Sequence, residues 1–404
     1  MSHLDFLFVN GVVSPPAQTL PVTTLLETHS GAYTTSRTHN NGSVLLFWER
    51  HLSRLANSAR ILNNSNPELL FDSRKSRVPF SGKFSNWDLA IKSLVNDSMR
   101  NALPLAVKEM KVGEELAVTT LLSGNLENLR GNEGLDDEEM LFKVFDVYVR
   151  VALYVPLGFG VRENVAHLAA VGPGRDVANA KYSDWVRVRK HLEKLRPPSA
   201  TELLLSNDGD QMLEGCLTNF FVVCRKDGTE DGFEAEKDST VYEVQTAPIS
   251  QGVLPGVIRQ IIVEACLKHR IPLREVAPSW SQREQWEEAF ITNSLRLLQH
   301  VETIRVPCSW KPLESKSWKD LTWAEKQFEE GPGTITSIIQ DTLVVPDVLC
   351  SFELVQEDRH NVSHRREALV LPFIEEIMAK AASEGCPVTS FPRCYNLPAP
   401  KNVW

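Results

Sequence analysis

The chain has 404 residues, of which 42% are hydrophobic, and this predicts two or three domains with packed cores. Its 43 lysines and arginines against 52 aspartates and glutamates give a net charge of −9, which argues against a nucleic-acid partner. No apolar run approaches the ~20 residues of a membrane span, so we expect no membrane association.

The seven cysteines are scattered and none lies in a CxxC pair, which predicts neither a metal site nor a disulfide framework. The N-terminus, MSHLDFLFVNG, enters a predicted strand at residues 6–9, without an Arg-rich leader or an apolar signal core. We therefore expect reduced thiols and a cytoplasmic protein.

Residues 1–156 mix strands and helices and form the first predicted domain. Strands are predicted at residues 43–49, 115–123 and 145–155, and helices at residues 51–62 and 87–102. The sequence PLGFG at residues 156–160 has the composition of a linker, and we place the domain boundary there.

Residues 157–305 form the second predicted domain, in which short strands alternate with helices. Strands are predicted at residues 166–171, 202–205, 211–223 and 289–292, and helices at residues 182–195 and 256–269. Asn207, Asp208 and Gly209 predict a tight turn that joins two of these strands into a hairpin.

Beyond residue 305 the sequence becomes irregular and contains several prolines and tryptophans. A helix is predicted at residues 373–384, and residues 342–352 suit an edge strand that Pro346 interrupts. So few elements bury too little apolar surface to fold alone. We therefore expect residues 306–404 to be an extension packed on the preceding body through Trp310, Trp318 and Trp323.

Two residues suit chemistry on a carbonyl group. Lys181 lies between Ala180 and Tyr182, which would bury its amine in part; burial lowers the pKa of an amine and favours a Schiff base. Glu214 and Gly215 precede an apolar strand, where a carboxylate can hold a positively charged ring nitrogen. A solvated lysine and a polar hairpin edge are the alternative readings.

Two other segments suit an anion. The sequence LPGVIR at residues 254–259 opens directly into a helix, and the free N–H groups at such a helix end bind phosphate. The strand at 290–294 ends in Thr292, Asn293 and Ser294, whose polar groups would form a second wall of the anion site. Proline and glycine also begin helices that bind nothing.

The order and spacing of these segments resemble a known class of enzymes. Lys181 precedes Glu214 by 33 residues, and the phosphate-type segments follow at intervals of about forty residues. Together with the sequence HLSRL at residues 51–55, the set resembles the fold-type IV pyridoxal-phosphate enzymes. That class contains the branched-chain and D-amino-acid aminotransferases and aminodeoxychorismate lyase. The resemblance extends over about residues 7–301, and Glu-Gly-x-x-x-Asn from Glu214 to Asn219 is its most specific motif.

The resemblance implies an α/β (α+β) fold of two domains, with pyridoxal 5'-phosphate in the cleft between them. Carried over by position, the catalytic residues are Lys181, which forms the Schiff base, and Glu214, which pairs with the ring nitrogen. The phosphate ligands are Arg54, the amides of Val257 and Ile258, and Ser294 with Asn293 beside it. In the segment Gly31-Ala32-Tyr33, Tyr33 is expected to recognise a substrate carboxylate.

The chain departs from the family pattern at three positions. Ile258 replaces a common threonine, Asp184 replaces an asparagine three residues after the lysine, and Thr34 replaces a glutamate found in aminotransferases. The resemblance implies an aminotransferase that acts on an amino acid and a 2-oxo acid, as a homodimer. The departure at Thr34 resembles the lyase branch, which leaves a lyase as an alternative, and a non-catalytic binding protein is a third.

Overall fold

A computed structural model describes residues 5–71, 87–129, 142–226, 241–310, 317–343 and 386–387. The strands are β1 (Asp5–Val9), β2 (Val12–Val13), β3 (Ala32–His39), β4 (Val44–Leu45), β5 (Glu115–Gly124), β6 (Phe145–Tyr154), β7 (Ala166–Ala170), β8 (Glu202–Ser206), β9 (Met212–Gly215), β10 (Asn219–Lys226), β11 (Val241–Thr246), β12 (Leu273–Glu275), β13 (Trp286–Asn293), β14 (Leu297–Pro307), β15 (Trp323–Gln327) and β16 (Cys386–Pro387). The helices are α1 (Val22–Thr28), α2 (Trp48–Ser65), α3 (Trp87–Lys108), α4 (Trp185–Val188), α5 (Lys190–Glu193), α6 (Val257–Lys268) and α7 (Thr334–Leu343).

The first sheet has seven strands in the order β16-β4-β3-β5-β6-β1-β2. Helices α2 and α3 cover one face of it and share a hydrophobic core with its inward side chains. Leucines at helical spacing, Leu52, Leu55 and Leu62, give α2 its fully buried face. The indole N–H of Trp48 donates to the side-chain oxygen of Asn96 at 3.0 Å, which joins α2 to α3.

The second sheet has nine strands in the order β12-β11-β10-β13-β14-β7-β8-β9, with β15 paired to β14. One additional pairing, between Glu214 of β9 and Asn219 of β10, closes six of these strands into a ring. The two sheets with their helices confirm the predicted fold class of mixed helix and strand. No helix within the described ranges is long and apolar enough to cross a bilayer.

The prediction of a strand over residues 43–49 is wrong beyond Leu45. Only Val44 and Leu45 pair as a strand, and helix α2 already begins at Trp48. Phe47 adopts the left-handed conformation, with φ 51° and ψ 36°, which turns the chain from strand into helix. A continuous apolar run contains no periodicity that marks this turn, so the prediction extended the strand too far.

The single helix predicted at 182–195 is also wrong, because the chain forms the one-turn helices α4 and α5 instead. At their junction the N–H of Leu192 bonds to the carbonyl of Arg189, three residues back, and this interrupts the α-helical pattern.

The single strand predicted at 211–223 is β9 and β10, separated by a tight turn. The N–H of Gly215 bonds to the carbonyl of Thr218 at 2.8 Å. A Cβ atom on Gly215 would lie 2.0 Å from the Thr218 hydroxyl, so the turn requires glycine. The turn places Glu214 directly opposite Asn219 in the ladder, which explains the spacing of the Glu-Gly-x-x-x-Asn motif.

The remaining predicted elements within the described ranges are confirmed with small shifts of their ends. They are β1, α2, α3, β5, β6, β7, β8, α6 and β13. The sequence prediction missed β3, which supplies a wall of the site described below, and β14, which pairs with β13 beside it.

Part of the predicted extension contacts the preceding body. β15 pairs antiparallel with β14, and α7 packs against α6 and β13. The carboxylate of Glu288 accepts the backbone N–H groups of Ile335 and Thr336 at 3.0 and 2.8 Å, which caps α7. This helix was not predicted. The predicted helix at 373–384 and most of the predicted strand at 342–352 lie outside the described residues, whereas Thr342 and Leu343 belong to α7.

Candidate active site

A cavity of about 470 Å³ lies between the two sheets. Strand β3 and helix α2 line one side of it, and the segments around β9, β13 and the N-terminus of α6 line the other. All eight residues predicted for the site line this cavity, namely Tyr33, Arg54, Lys181, Glu214, Val257, Ile258, Asn293 and Ser294. The fold therefore gathers residues that are as much as 261 positions apart in the chain.

The backbone of Lys181 forms hydrogen bonds with strand β3 and with helix α2. Its carbonyl accepts the N–H of Tyr33 at 2.9 Å, and its own N–H donates to the Ser58 hydroxyl at 3.1 Å. Its Nζ lies 4.6 Å from the centre of the Tyr33 ring. Burial lowers the pKa of Lys181, and the positive charges of Arg54 and Arg175 lower it further. Tyr33 opposes this shift without cancelling it, so the Lys181 amine loses its proton more readily than an exposed lysine does.

Glu214 is almost completely buried and accepts hydrogen bonds on both oxygens. Oε2 accepts the Leu254 N–H at 2.9 Å and the side-chain amide of Asn219 at 3.3 Å. Asn219 also donates to the Leu254 carbonyl at 2.9 Å, so it braces the loop that leads into α6. Burial raises the pKa of Glu214, although Arg175 and the Leu254 N–H oppose the rise.

Arg175 is a member of the site that sequence analysis missed. Its Nε and Nη2 both donate to Oε1 of Glu214, at 2.9 and 2.6 Å, and its guanidinium lies 5.5 Å from the centre of the Trp185 ring. It occurs in the turn-rich sequence GPGR, six residues before Lys181. Its closeness to Lys181 in the sequence could have indicated that Arg175 belongs to the site. The local sequence does not indicate that its partner is Glu214.

Two buried side chains, those of Thr34 and His51, hold Arg54 in position. Its Nη2 donates to the Thr34 hydroxyl at 2.8 Å, and that hydroxyl lies 2.8 Å from Nδ1 of His51. Because arginine can only donate, Thr34 accepts from Arg54 and donates its own proton to His51. Burial lowers the pKa of His51 well below its ordinary value, and Arg54 lowers it further, which favours the neutral imidazole that accepts from Thr34. Thr34, which departs from the family pattern, thus orients Arg54, the predicted phosphate ligand.

Several donors on this side of the cavity have no acceptor within the described structure. Arg54 Nε and the Thr292 hydroxyl are buried without a hydrogen-bond partner. Helix α6 has no side-chain cap, and the first N–H groups of a helix, here those of Val257 and Ile258, lack intrahelical acceptors. A Cβ atom on Gly256 would lie 2.0 Å from Asn219 Oδ1, so glycine is required before the helix. These donors fit a phosphate ester.

Asn293 and Ser294 both lie at the cavity, but the asparagine oxygen already has partners. It accepts the backbone N–H groups of Leu295 and Arg296 at 3.0 and 2.8 Å and so closes the turn between β13 and β14. Thr292, one residue earlier, has the free buried hydroxyl instead. Sequence analysis placed Thr292 in this wall but did not select it as a ligand.

The other two departures from the family pattern are Asp184 and Ile258. Asp184 forms an ion pair with Arg187 and does not line the cavity. Ile258 is buried at the start of α6 and presents an apolar side chain beside the predicted phosphate position. Its backbone N–H is unaffected by the substitution. No cluster of side chains suitable for a metal ion occurs among the described residues.

Comparison with known proteins identifies a family that the chain matches. Residues 31–304 match the model of a family described as amino-transferase class IV. A branched-chain aminotransferase from Thermoproteus uzoniensis, solved with norvaline, is similar in structure, with a TM-score of 0.53 at 15% identity, covering 95% of this chain and 99% of that chain. The branched-chain amino acid aminotransferase of Escherichia coli gives a TM-score of 0.51 at 16% identity, covering 84% and 93%.

A third solved structure carries a ligand of the predicted kind. It is a branched-chain amino acid aminotransferase complexed with N-(5'-phosphopyridoxyl)-L-glutamate, and it gives a TM-score of 0.52 at 15% identity, covering 95% of this chain and 98% of that chain. At these identities the likeness is one of fold. No curated protein sequence matches the chain.

Proposed function

Because this chain belongs to the class IV aminotransferase family, we propose that it is a pyridoxal-phosphate-dependent aminotransferase that moves an amino group between an amino acid and a 2-oxo acid. One observation carries the proposal: a lysine with a lowered pKa, a buried glutamate and a set of unpaired phosphate-type donors line one cavity. These three features are what an aldehyde cofactor with a pyridine ring and a phosphate requires.

The roles of the residues follow from their chemistry. When bound, pyridoxal phosphate supplies an aldehyde that reacts with amines and a ring that delocalises the negative charge left on the substrate's α-carbon. Arg54 and the first amides of α6 would bind the phosphate, with the Thr292 hydroxyl beside them. Glu214 would hold a proton on the ring nitrogen. Lys181 would hold the cofactor through Nζ and would move the substrate's α-proton, and both roles need the unprotonated amine.

The rest of the cavity controls access and orientation. Val22, Leu26 and Val186 line it with apolar surface, which limits the water that reaches the reacting carbon. Tyr33 lies beside Lys181 Nζ and is the proposed contact for a substrate carboxylate. Burial raises the pKa of Tyr33, but the nearby charges of Lys181 and Arg189 outweigh this and lower it.

The decisive experiment tests attachment of the cofactor to Lys181. The purified protein, supplied with pyridoxal phosphate, should show visible absorbance, and borohydride reduction should fix the cofactor on the peptide that contains Lys181. Lys190 and Lys194, exposed on the segment that follows, are the internal controls. A protein that stays colourless with added cofactor, or that is labelled at Lys190, contradicts the proposal.

Two alternative functions, a lyase and a non-catalytic binding protein, can be distinguished from an aminotransferase by one assay. Thr34 in place of glutamate favours a lyase on the same cofactor, similar to aminodeoxychorismate lyase. An aminotransferase converts the bound cofactor to its amine form when given an amino acid alone, whereas such a lyase releases pyruvate. A binding protein that has lost catalysis would do neither. Retention of Lys181, Glu214 and Arg54 in one cavity supports an enzyme.

We also propose a homodimer that works in the cytoplasm on small amino-acid and 2-oxo-acid substrates, without nucleic-acid or membrane partners. The acidic net charge of −9 supports the absence of a nucleic-acid partner.

A further inference from the structure

The cavity is strongly positive. Its lining includes four arginines, Arg54, Arg175, Arg189 and Arg296, besides Lys181, but among the described lining residues Glu214 is the one carboxylate. A phosphate group carries about −1.5 to −2 charges near neutral pH, so a cofactor phosphate leaves part of this positive charge unbalanced. The cavity is therefore suited to a further anion.

The four arginines differ in their partners. Arg54 donates to Thr34, Arg175 forms its ion pair with Glu214, and Arg296 donates to Gln299 at 3.1 Å. The fourth arginine, Arg189, has no side-chain hydrogen bond or ion pair within the described part of the chain.

One nitrogen of the Arg189 guanidinium is nevertheless withdrawn from water, although the residue as a whole is half-buried. Its Nη1 is buried without a hydrogen-bond partner. Such a group loses its hydration without gaining an acceptor in exchange, which is costly unless a ligand supplies one. Arg189 therefore has a free donor at the cavity that an anionic ligand could use.

Arg189 lines the same cavity as Lys181 and Tyr33. It follows α4 at the junction with α5, eight residues after Lys181. Its charge also acts on Tyr33, which contacts Lys181 Nζ. Glu202 also lies near Arg189, but it is buried, does not line the cavity and forms no ion pair with Arg189 among the described residues. An anion held by Arg189 would thus lie in the same cavity as Lys181 Nζ.

We propose that Arg189 binds a carboxylate group of the amino-acid and 2-oxo-acid substrates and thereby selects substrates that carry one. This inference rests on the proposed function. The carboxylate is either the one beside the reacting carbon or one at the end of the side chain. The two sources share the same chemistry at the guanidinium, and the experiment below separates them.

The test measures binding of carboxylates that cannot react. Propionate carries one carboxylate and glutarate carries two, and neither has an amine or an oxo group. Isothermal titration of each into the cofactor-loaded protein gives a dissociation constant that is independent of turnover. The variants are Arg189→Met, which keeps the length without the charge, and Arg189→Lys, which keeps the charge.

Arg187→Met is the matched control. Arg187 lies two residues earlier, in α4, pairs with Asp184 and does not line the cavity. Its replacement should leave both dissociation constants unchanged. Arg189→Met should raise the dissociation constant about tenfold or more, as expected for loss of a charged hydrogen bond, and Arg189→Lys should restore part of the affinity.

The pattern of losses identifies the source of the carboxylate. Weaker binding of both probes supports the carboxylate beside the reacting carbon, and weaker binding of glutarate alone supports one at the end of the side chain. Unchanged binding of both probes by Arg189→Met, or no binding by the unaltered protein, overturns the inference. Labelling of Lys181 by borohydride is independent of these titrations, so its failure would overturn the proposed function instead.

Discussion

Arg175 and Glu214 form a buried ion pair in which two guanidinium nitrogens donate to the same carboxylate oxygen, at 2.9 and 2.6 Å. The second oxygen accepts from Leu254 and Asn219. Four donors hold the carboxylate in one orientation, and an arginine already balances its charge. The proposed partner of the ring nitrogen is therefore positioned by the protein, and Arg175 determines how much negative charge Glu214 presents to it.

Replacing Arg175 with methionine should destabilise the protein strongly. The change leaves the Glu214 carboxylate buried without its cation, and breaking a buried pair in this way costs about 3–5 kcal/mol. Urea denaturation followed by circular dichroism measures the loss in the free energy of unfolding. In the double variant with Glu214→Gln most of the stability should return, because a neutral amide needs no cation. A loss below about 1 kcal/mol in the single variant would contradict the buried pair.

Glu214→Gln should retain the cofactor and lose turnover. The phosphate ligands are unchanged in this variant, but a neutral amide cannot stabilise a proton on the ring nitrogen. Loss of one such electrostatic partner lowers kcat by about a hundredfold to a thousandfold. Cofactor content is measured by visible absorbance and kcat with an amino acid and a 2-oxo acid. Normal turnover would show that Glu214 does not face the ring nitrogen.

Thr34→Val should weaken cofactor binding, although Thr34 itself is fully buried beneath the site. The variant removes the hydroxyl that connects Arg54 to His51. We expect the dissociation constant for pyridoxal phosphate to rise about tenfold, as for loss of a hydrogen bond to a charged group. Thr38→Val is the matched control, because Thr38 is buried on the same strand but bonds to Glu115. Equal effects of the two variants would argue against a role for Thr34 in holding Arg54.

Glu202→Gln should stabilise the protein at alkaline pH. Burial raises the pKa of Glu202 from 4.5 to about 7, so the native state holds a proton that the unfolded state releases. Stability attributable to this group is present below pH 4.5 and is lost as the pH rises to 7. The full loss is about 3 kcal/mol, since one pKa unit corresponds to about 1.4 kcal/mol.

The glutamine variant lacks this titration. Its free energy of unfolding should exceed that of the unaltered protein by up to about 3 kcal/mol at pH 8, and the difference should shrink as the pH falls toward 4.5. Urea denaturation across this pH range measures it. A difference that is constant with pH would show that Glu202 does not titrate as proposed.

The homodimer is open to a direct measurement. Light scattering on the cofactor-loaded protein should give about twice the mass of the 45.4 kDa chain. The nine tryptophans and 17 phenylalanines suit the large aromatic contacts typical of stable interfaces. A single-chain mass at working concentrations would contradict the dimer.

Much of the candidate site could be predicted from the sequence because its signals are local. A glycine before a helix, a lysine after a turn and the Glu-Gly-x-x-x-Asn motif each depend on neighbours only a few residues apart. The structure supplies the reason for the last of these, since a tight turn at Gly215 places Glu214 opposite Asn219. The roles of these residues stay predictions until the variants above are tested.

The sequence by itself determined the mixed fold, most of the helices and strands, and the family, because periodicity and short motifs are properties of neighbouring residues. The tertiary structure alone decided which charges meet in the cavity. Arg175 finds Glu214 across 39 residues, Thr34 finds Arg54 across 20, and Arg189 lies at the cavity without a partner among the described residues. Such pairings depend on strand register and on the packing of separate segments, and no local pattern of residues encodes them.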